Sequence, residues 1–395
     1  MSAIGEFQPQ PYVDPAGGPG QSVQPGDEQV ASIEAVGLDE LCEMVVECGA
    51  SDLHITTGLP PVVRIDGKLH TLPFERLQPI DTQRLIYDIL SDKHVEQFES
   101  TSELDFSHGV RGLGRFRVNV YQQRGSVAAA LRTVPTEIPD LQDLGLPQIC
   151  LDLTNRHSGL VLVTGQTGSG KSTTLACMLN YINQNSASHI LTVEDPIEYL
   201  HAHGRSMVNQ REIGTDTDSF AASLRAALRE DPDVVLVGEL RDLETVECAM
   251  TVAETGHLVF GTLHTRSAPQ TVDRIIDVFP PHQQEQIRVV LSNCLEAVIT
   301  QQLVPKANGT GRVPALEIML ATSAIRNLIR EAKTHQMPSI IETGVHYGMR
   351  TMDGSLAELV RQGVIAHEEA AARALDPENF QRLLMAQPQM PAPGR

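Results

Sequence analysis

Residues 165–172 read Gly165-Gln166-Thr167-Gly168-Ser169-Gly170-Lys171-Ser172, and Thr173 follows. The pattern is that of a phosphate-binding loop, G-x-x-x-x-G-K-[ST]. Its glycines let the backbone wrap closely around phosphates, so that successive N–H groups point at negative charge. The opening turn of a following helix adds the positive end of its dipole. Lys171 can reach the outer phosphates, and the Ser172 hydroxyl can ligate Mg²⁺. Gly165 to Thr173 are therefore the expected contacts of a nucleoside triphosphate.

Three later apolar runs each end in polar residues: Ile190-Leu191-Thr192-Val193-Glu194-Asp195, Val234-Val235-Leu236-Val237-Gly238-Glu239 and His257-Leu258-Val259-Phe260-Gly261-Thr262-Leu263-His264. A triphosphatase needs a carboxylate to orient or deprotonate water, and groups that hold Mg²⁺ directly or through water. Glu194, Asp195 and Glu239 stand where that work is done. The metal-associated strand of such enzymes usually ends Asp-Glu, whereas this one ends Gly238-Glu239. The metal's partners must then include Glu194 or Asp195. Glu239 is the candidate general base or water-positioning group, and a further Mg²⁺ contact. Taken singly, each acid also reads as a solvated loop residue. His264 either contacts the γ-phosphate or catalytic water, or is a satisfied structural histidine. His257 and His264 make no metal site, because no Cys or further His completes a ligand set.

These residues need elements to position them. Leu160–Thr164 predicts a strand entering the loop, and Ser172–Gln184 a helix leaving it. Strands are expected at His189–Val193, Val234–Val237 and His257–Gly261, and helices at Ser219–Arg229 and Leu243–Ala253. Repeated βα units imply a mostly parallel sheet covered by helices, with chemistry at the carboxyl ends of its strands. Upstream, Leu38–Cys48 has helical spacing. Asp52–Thr56 and Val62–Ile65 read as strands, with a hairpin turn at Asp66-Gly67. In Arg115–Tyr121, Phe116, Val118 and Val120 share one face, and Arg115, Arg117 and Asn119 the other. Arg132 lies on the next strand, Val127–Thr133. These arginines read either as a solvated basic face or as cations that reach phosphoryl charge. The expected organisation is a Pro/Gly-rich disordered tail (1–30), an α+β domain (31–134), a proline-punctuated link (135–156), an α/β core (157–376) and a frayed end (377–395). Ala324–Glu331 is amphipathic, with Ile325, Leu328 and Ile329 on one side and Arg326 and Arg330 on another.

The chain has 395 residues and a formal net charge of −20, from 50 acidic and 30 basic side chains. That length implies two domains, and the acidity argues against a nucleic-acid partner. The six cysteines are scattered and form no C-x-x-C pair, so neither a disulfide framework nor a zinc knuckle is expected. With no run long enough to span a bilayer and no signal-peptide pattern, the expectation is a cytoplasmic protein without direct membrane insertion.

Together, ASDLHITTGLPPVVRIDG (50–67), GRFRVNVYQQRG (114–125), GQTGSGKSTT (165–174), ILTVEDPIEYLH (190–201), DPDVVLVGELRDLET (231–245), TGHLVFGTLHT (255–265) and AIRNLIRE (324–331) resemble the PilT family of type IV pilus retraction ATPases, within the type II/IV secretion ATPase superfamily. The resemblance spans about residues 36–384. It implies a RecA-like P-loop motor core with a smaller PAS-like N-terminal domain. It also implies a homohexamer that hydrolyses ATP with Mg²⁺, acting on the pilin fibre through an inner-membrane platform protein. Glu239 matches the family's catalytic glutamate, Glu194 its acidic-box glutamate and His264 a box histidine. Arg117 and Arg132 match arginines that complete a neighbouring subunit's site, and AIRNLIRE a segment needed for retraction but not for hydrolysis. Two positions depart from the pattern: Gln166 replaces a common proline, and Arg266 a usual asparagine. The alternatives are a pilus assembly or type II secretion ATPase, which typically carries paired C-x-x-C motifs, a DNA-translocating ATPase, or a nucleotide-binding accessory subunit without turnover.

Overall fold

The structure is a computed structural model that describes residues 31–385 and the backbone of residues 10 and 11. The expected tails at 1–30, those two positions apart, and at 386–395 lie outside the described residues. The chain divides into two compact units, with the boundary between Thr136 and Glu137.

The first unit holds a seven-stranded antiparallel sheet. Its strands are β1 (Gln10–Pro11), β2 (Asp52–Ile55), β3 (Val62–Ile65), β4 (Lys68–Thr71), β5 (Glu103–Val110), β6 (Gly114–Gln123) and β7 (Ser126–Val134), in the order β1-β4-β3-β2-β7-β6-β5. The turn between β3 and β4 places Asp66 and Gly67 at φ 49° and 79°, the left-handed pair that a type I′ hairpin requires. Helices Leu38–Glu47, Pro79–Tyr87 and Asp92–Thr101 bury Leu41, Leu85 and Phe98 in one core with the strands. In β6, Phe116, Val118 and Val120 enter that core, and Arg115, Arg117 and Asn119 alternate out of it. A sheet with one apolar face writes itself into sequence as this period of two.

The second unit has a seven-stranded, mostly parallel sheet. Its strands are β8 (Gly159–Thr164), β9 (His189–Glu194), β10 (Met207–Glu212), β11 (Val234–Val237), β12 (Leu258–Leu263), β13 (Leu295–Pro305) and β14 (Arg312–Leu320), in the order β10-β9-β11-β12-β8-β13-β14. Only the β13–β14 pairing is antiparallel. Every residue of β8, β11 and β12 is buried. Leu160 and Leu162 join the core with Val237 and Ala249, while Val161 and Val163 join the opposite core with Leu175 and Leu179. Cover on both faces explains why these strands read as unbroken apolar runs. The expected helices appear at Lys171–Asn185, Phe220–Ala227 and Leu243–Glu254.

Two stretches behave differently from their proline content. Residues 148–154, in the expected link, form the helix Gln148–Thr154, and Cys150 and Leu153 are buried in the second unit's core. In the expected frayed end, Pro377–Met385 is a helix with Phe380 fully buried. Asp376 Oδ1 accepts from the N–H groups of Glu378 and Asn379 at 3.0 and 3.1 Å. Proline at the first helical position needs no N–H partner, so it starts a helix as readily as it ends one.

The Ser323–Arg330 helix buries Ile325, Leu328 and Ile329 as the spacing predicts. Its arginines are anchors. Arg326 Nη1 donates to the carbonyls of Ser292 and Asn293 at 2.6 Å each, and Nη2 to Glu296 at 2.6 Å. Arg330 donates to the Ser292 hydroxyl at 3.1 Å. Arg326 thereby satisfies the last carbonyls of the helix Gln284–Cys294, where β13 begins. Arg326→Ala should lower stability by roughly 1.5–3 kcal/mol, the range for hydrogen bonds that involve a charged group. Denaturant melts against Asn327→Ala, expected to stay near wild type, check this.

Candidate active site

Parallel register sets the site. Val193 pairs with Val237, Val237 with Gly261, and Leu263 with Thr164. Gly165, Glu194, Glu239 and His264 therefore emerge at the carboxyl ends of four adjacent strands. The sheet brings these predicted residues to one edge from widely separated parts of the chain.

The phosphate-binding loop follows β8 directly. Gly165, Gly168 and Gly170 have φ of 142°, 76° and 89°. Gly170 caps the helix Lys171–Asn185 without any side-chain cap, and no acidic residue stands in its first turn. By contrast, Asp242 caps Leu243–Glu254 by accepting from Thr245 N, and Ser267 caps the helix Ala268–Asp277 by accepting from Gln270 N. The loop helix thus presents first-turn N–H groups and a positive dipole end, which suit a phosphate. Lys171 Nζ donates to the carbonyls of Gly165 and Gln166 at 2.9 and 3.2 Å, a folded-back pose above the loop. Burial pulls its pKa below the ordinary lysine value, and the nearby Glu239 charge opposes that shift. Ser172 is exposed at the helix start, and the Thr173 hydroxyl pairs with Tyr199 Oη at 2.9 Å.

Glu239 is mostly buried and sits between Arg241 and His264. Its Oε1 receives Arg241 Nε at 2.6 Å and lies 3.2 Å from His264 Nε2. Burial raises the Glu239 pKa, but the Arg241 hydrogen bond and the charge of His264 outweigh it and hold the carboxyl below the usual range. Such a group stays ionised and is a weak proton acceptor, better suited to orienting water. Gly238 has a steric reason. A Cβ there would lie 3.2 Å from both Glu194 Cα and Val193 O, tighter than ordinary packing, so an aspartate needs the neighbouring strand end to give. The Thr262 hydroxyl donates to Gly238 O at 2.5 Å, and Leu240 N to Thr262 O at 3.0 Å, which ties this turn to β12.

Glu194 is held inside the protein. Its Oε1 accepts from the Thr192 hydroxyl at 2.7 Å and Gln210 Nε2 at 3.2 Å, and its Oε2 from Glu198 N at 3.2 Å. Burial raises its pKa above the ordinary carboxylate value, against these three donors. Asp195, next along the chain, is exposed. Among the described residues, no group of three or more His, Cys, Asp or Glu is arranged to hold a metal ion. A Mg²⁺ bound chiefly through phosphates and water needs few protein ligands, so the Ser172 hydroxyl and the nearby carboxylates fit it.

The arginines lie in the first unit. Arg117 and Arg132 face each other across β6 and β7. Arg132 Nε donates to Asp52 Oδ1 at 2.8 Å, and Arg64 Nε lies 3.8 Å from Asp52 Oδ2. Burial raises the Asp52 pKa, yet the bonds from Ser51 and Arg132 bring it below the usual value. The buried Asp52 orients Arg132 and offsets the repulsion of two like charges placed opposite each other.

Three residues at the site escape motif reading. Arg241, two positions beyond Glu239, had a visible signal: a cation one residue removed from a catalytic-type carboxylate. Gln210 arrives on β10, whose polar sequence hides a strand. Gln301 donates to Ser169 O from 132 residues away, with no local signal at all. The two departures from the family pattern also meet. With the Gln166 amide oxygen turned toward it, Arg266 donates from Nε and Nη2 at 3.0 Å each, which places a cation against the loop.

A glycine loop at the end of a central parallel strand, opening onto an uncapped helix, defines a P-loop nucleoside triphosphatase with a RecA-like core. The family profile described as "Type II/IV secretion system protein" matches residues 27–372. The chain is 50% identical over 343 residues, covering 87% of this chain and 99% of the relative, to the Pseudomonas aeruginosa protein named "Type IV pilus retractation ATPase PilT". It is 48% identical over 320 residues (81% of this chain, 86% of the relative) to a "Twitching motility protein" of Neisseria gonorrhoeae. A crystal structure of the pilus retraction motor PilT with bound ADP superposes with a TM-score of 0.82 at 55% identity, covering 88% of this chain and 99% of that one. The chain belongs to the type II/IV secretion system protein family.

Glu194 gives a test with a definite sign. A buried carboxyl with a raised pKa holds its proton more tightly when folded. Its contribution to stability is therefore present at low pH and lost as pH rises through its folded pKa. Glu194→Gln cannot ionise, so its unfolding midpoint should gain on wild type between pH 4.5 and pH 8, by about 2–4 °C for each kcal/mol in a domain of this size. A pH-independent difference would contradict the burial account.

Proposed function

We propose that this chain is an ATP-hydrolysing motor that powers retraction of type IV pili. One observation carries the reading: the phosphate loop and the Glu239–His264 pair stand at neighbouring strand ends, in a chain 50% identical to a protein named as a pilus retraction ATPase across 99% of that protein. Among the described residues no helix is long and apolar enough to cross a membrane.

The loop N–H groups of Gly165 to Thr173 and the Lys171 ammonium bind the β- and γ-phosphates of ATP. Ser172 would hold Mg²⁺ directly, with Asp195, Glu239 and the more enclosed Glu194 reaching it through water. When bound, Mg²⁺ neutralises charge on the phosphate oxygens. Glu239 orients the attacking water, and its low pKa keeps it ionised for that task. His264 and Arg241 fix the carboxylate's direction, and His264 is placed to reach the γ-phosphate. Arg117 and Arg132 bring positive charge to the nucleotide of a neighbouring copy in a homohexamer. The ring works at the cytoplasmic face of the inner membrane, on a platform protein that draws down the pilin fibre.

Replacing the native copy with Glu239→Gln in a piliated host should leave cells hyperpiliated and unable to twitch. Bald cells would instead assign the motor to assembly. For action in trans, mixing Arg117→Ala with Lys171→Ala subunits should restore part of the ATPase activity lost in each alone. Strict additivity of the two losses would place Arg117 outside the neighbouring site.

A further inference from the structure

Gln301 lies on β13, outside every motif, and is only 3% exposed. Both ends of its amide are engaged. Nε2 donates to Ser169 O at 2.7 Å, and Oε1 accepts from the Thr174 hydroxyl at 2.8 Å. Ser169 lies inside the phosphate loop and Thr174 in the first turn of the helix beyond it, so one buried side chain spans the junction. The same residue leaves no room for side chains at two loop positions. A Cβ on Gly165 would come 2.3 Å from Gln301 O, and one on Gly170 2.7 Å from Gln301 Nε2. One residue earlier, the Thr300 hydroxyl meets that of Thr164 at 2.9 Å, which fastens β13 to β8 beside the loop's entry.

Peptide geometry turns this contact into a directional constraint. The Ser169–Gly170 peptide is planar and trans, so its C=O and N–H point in opposite directions. Gln301 holds the carbonyl, and the Gly170 N–H is thereby aimed away from β13. Were the peptide to turn over, a carbonyl oxygen would point where the amide hydrogen points now. Toward a phosphate, that exchanges attraction for repulsion.

We propose that Gln301 is a positioning residue for the nucleotide's phosphates, acting through the Ser169–Gly170 peptide. The inference rests on the ATP-binding reading above. Gln301 touches no reacting atom, and its role is to keep the loop's donors directed at the anion.

The test uses two variants of the full chain that keep the side chain's length but lose the donor. Gln301→Met removes all polarity, and Gln301→Glu sets a carboxylate against the Ser169 carbonyl. Affinities for ATP and ADP are measured by calorimetry, with turnover at saturating ATP and the unfolding midpoint in parallel. Gln301→Met should weaken ATP and ADP alike by about tenfold, the scale of one hydrogen bond to a charged group. Gln301→Glu should weaken both further, with saturated turnover within about threefold of wild type in each case, because the catalytic groups are untouched. Unchanged ATP and ADP affinity in Gln301→Met would overturn the proposal. So would a fall in turnover and melting temperature together at constant affinity, the pattern of a merely structural residue. Failure of the wild-type chain to bind ATP would instead strike at the functional reading itself.

Discussion

The site depends on the parallel register of β8, β9, β11 and β12. Their pairing delivers Gly165, Glu194, Glu239 and His264 to one edge of one sheet. A slip of one residue would turn each strand's side chains to the opposite face. Burial on both faces opposes such a slip, since alternate residues of β8 fill two different cores. The same closeness limits what the edge can carry. At Gly238 the backbone of Glu194 crowds the space where a side chain would begin, so a larger residue there needs the neighbouring strand end to give by a few tenths of an ångström.

Electrostatics refine that frame. The chain carries −20 overall, yet Lys171, Arg241, His264 and Arg266 gather near the phosphate loop. Exposed charges farther than a Debye length, about 8–10 Å, are largely screened, so the local set governs what the pocket attracts. Within it the two glutamates are driven apart. Burial raises Glu194 against three neutral donors, whereas the cations around Glu239 overcome its burial and lower it. One carboxylate braces the turn after β9, and the other is held on the ionised side of its ordinary range.

Much of this was legible in the sequence, for physical reasons that differ by element. The phosphate loop is contiguous, so its chemistry is visible in a single string. The alternation of Phe116, Val118 and Val120 shows a sheet with one wet face, and the Ile325–Leu328–Ile329 spacing a helix with one dry stripe. What stayed hidden is non-local or ambiguous. Gln301 has meaning only because β13 pairs with β8. The polar strand β10 carries Gln210 at the sheet edge without an apolar signature. In the proline-punctuated link and the expected frayed end, Pro147 precedes one helix and Pro377 starts another, because proline's fixed φ suits a helix start as well as a break. The spacing placed Arg326 and Arg330 on one side of their helix, but not that Arg326 satisfies the end of a neighbouring helix while Arg330 bonds the Ser292 hydroxyl.

If the glycine loop and Glu239 form one hydrolytic site with separable tasks, removing the Glu239 charge slows hydrolysis without loosening the nucleotide. Single-turnover phosphate release from bound ATP, measured on Glu239→Gln beside the wild-type chain, tests it most directly. The variant should bind ATP with near wild-type affinity and hydrolyse it more slowly by about 10²-fold or more, the scale of a lost positioning contact. Hydrolysis at the wild-type rate in that variant would contradict it and move the water-directing role to another carboxylate.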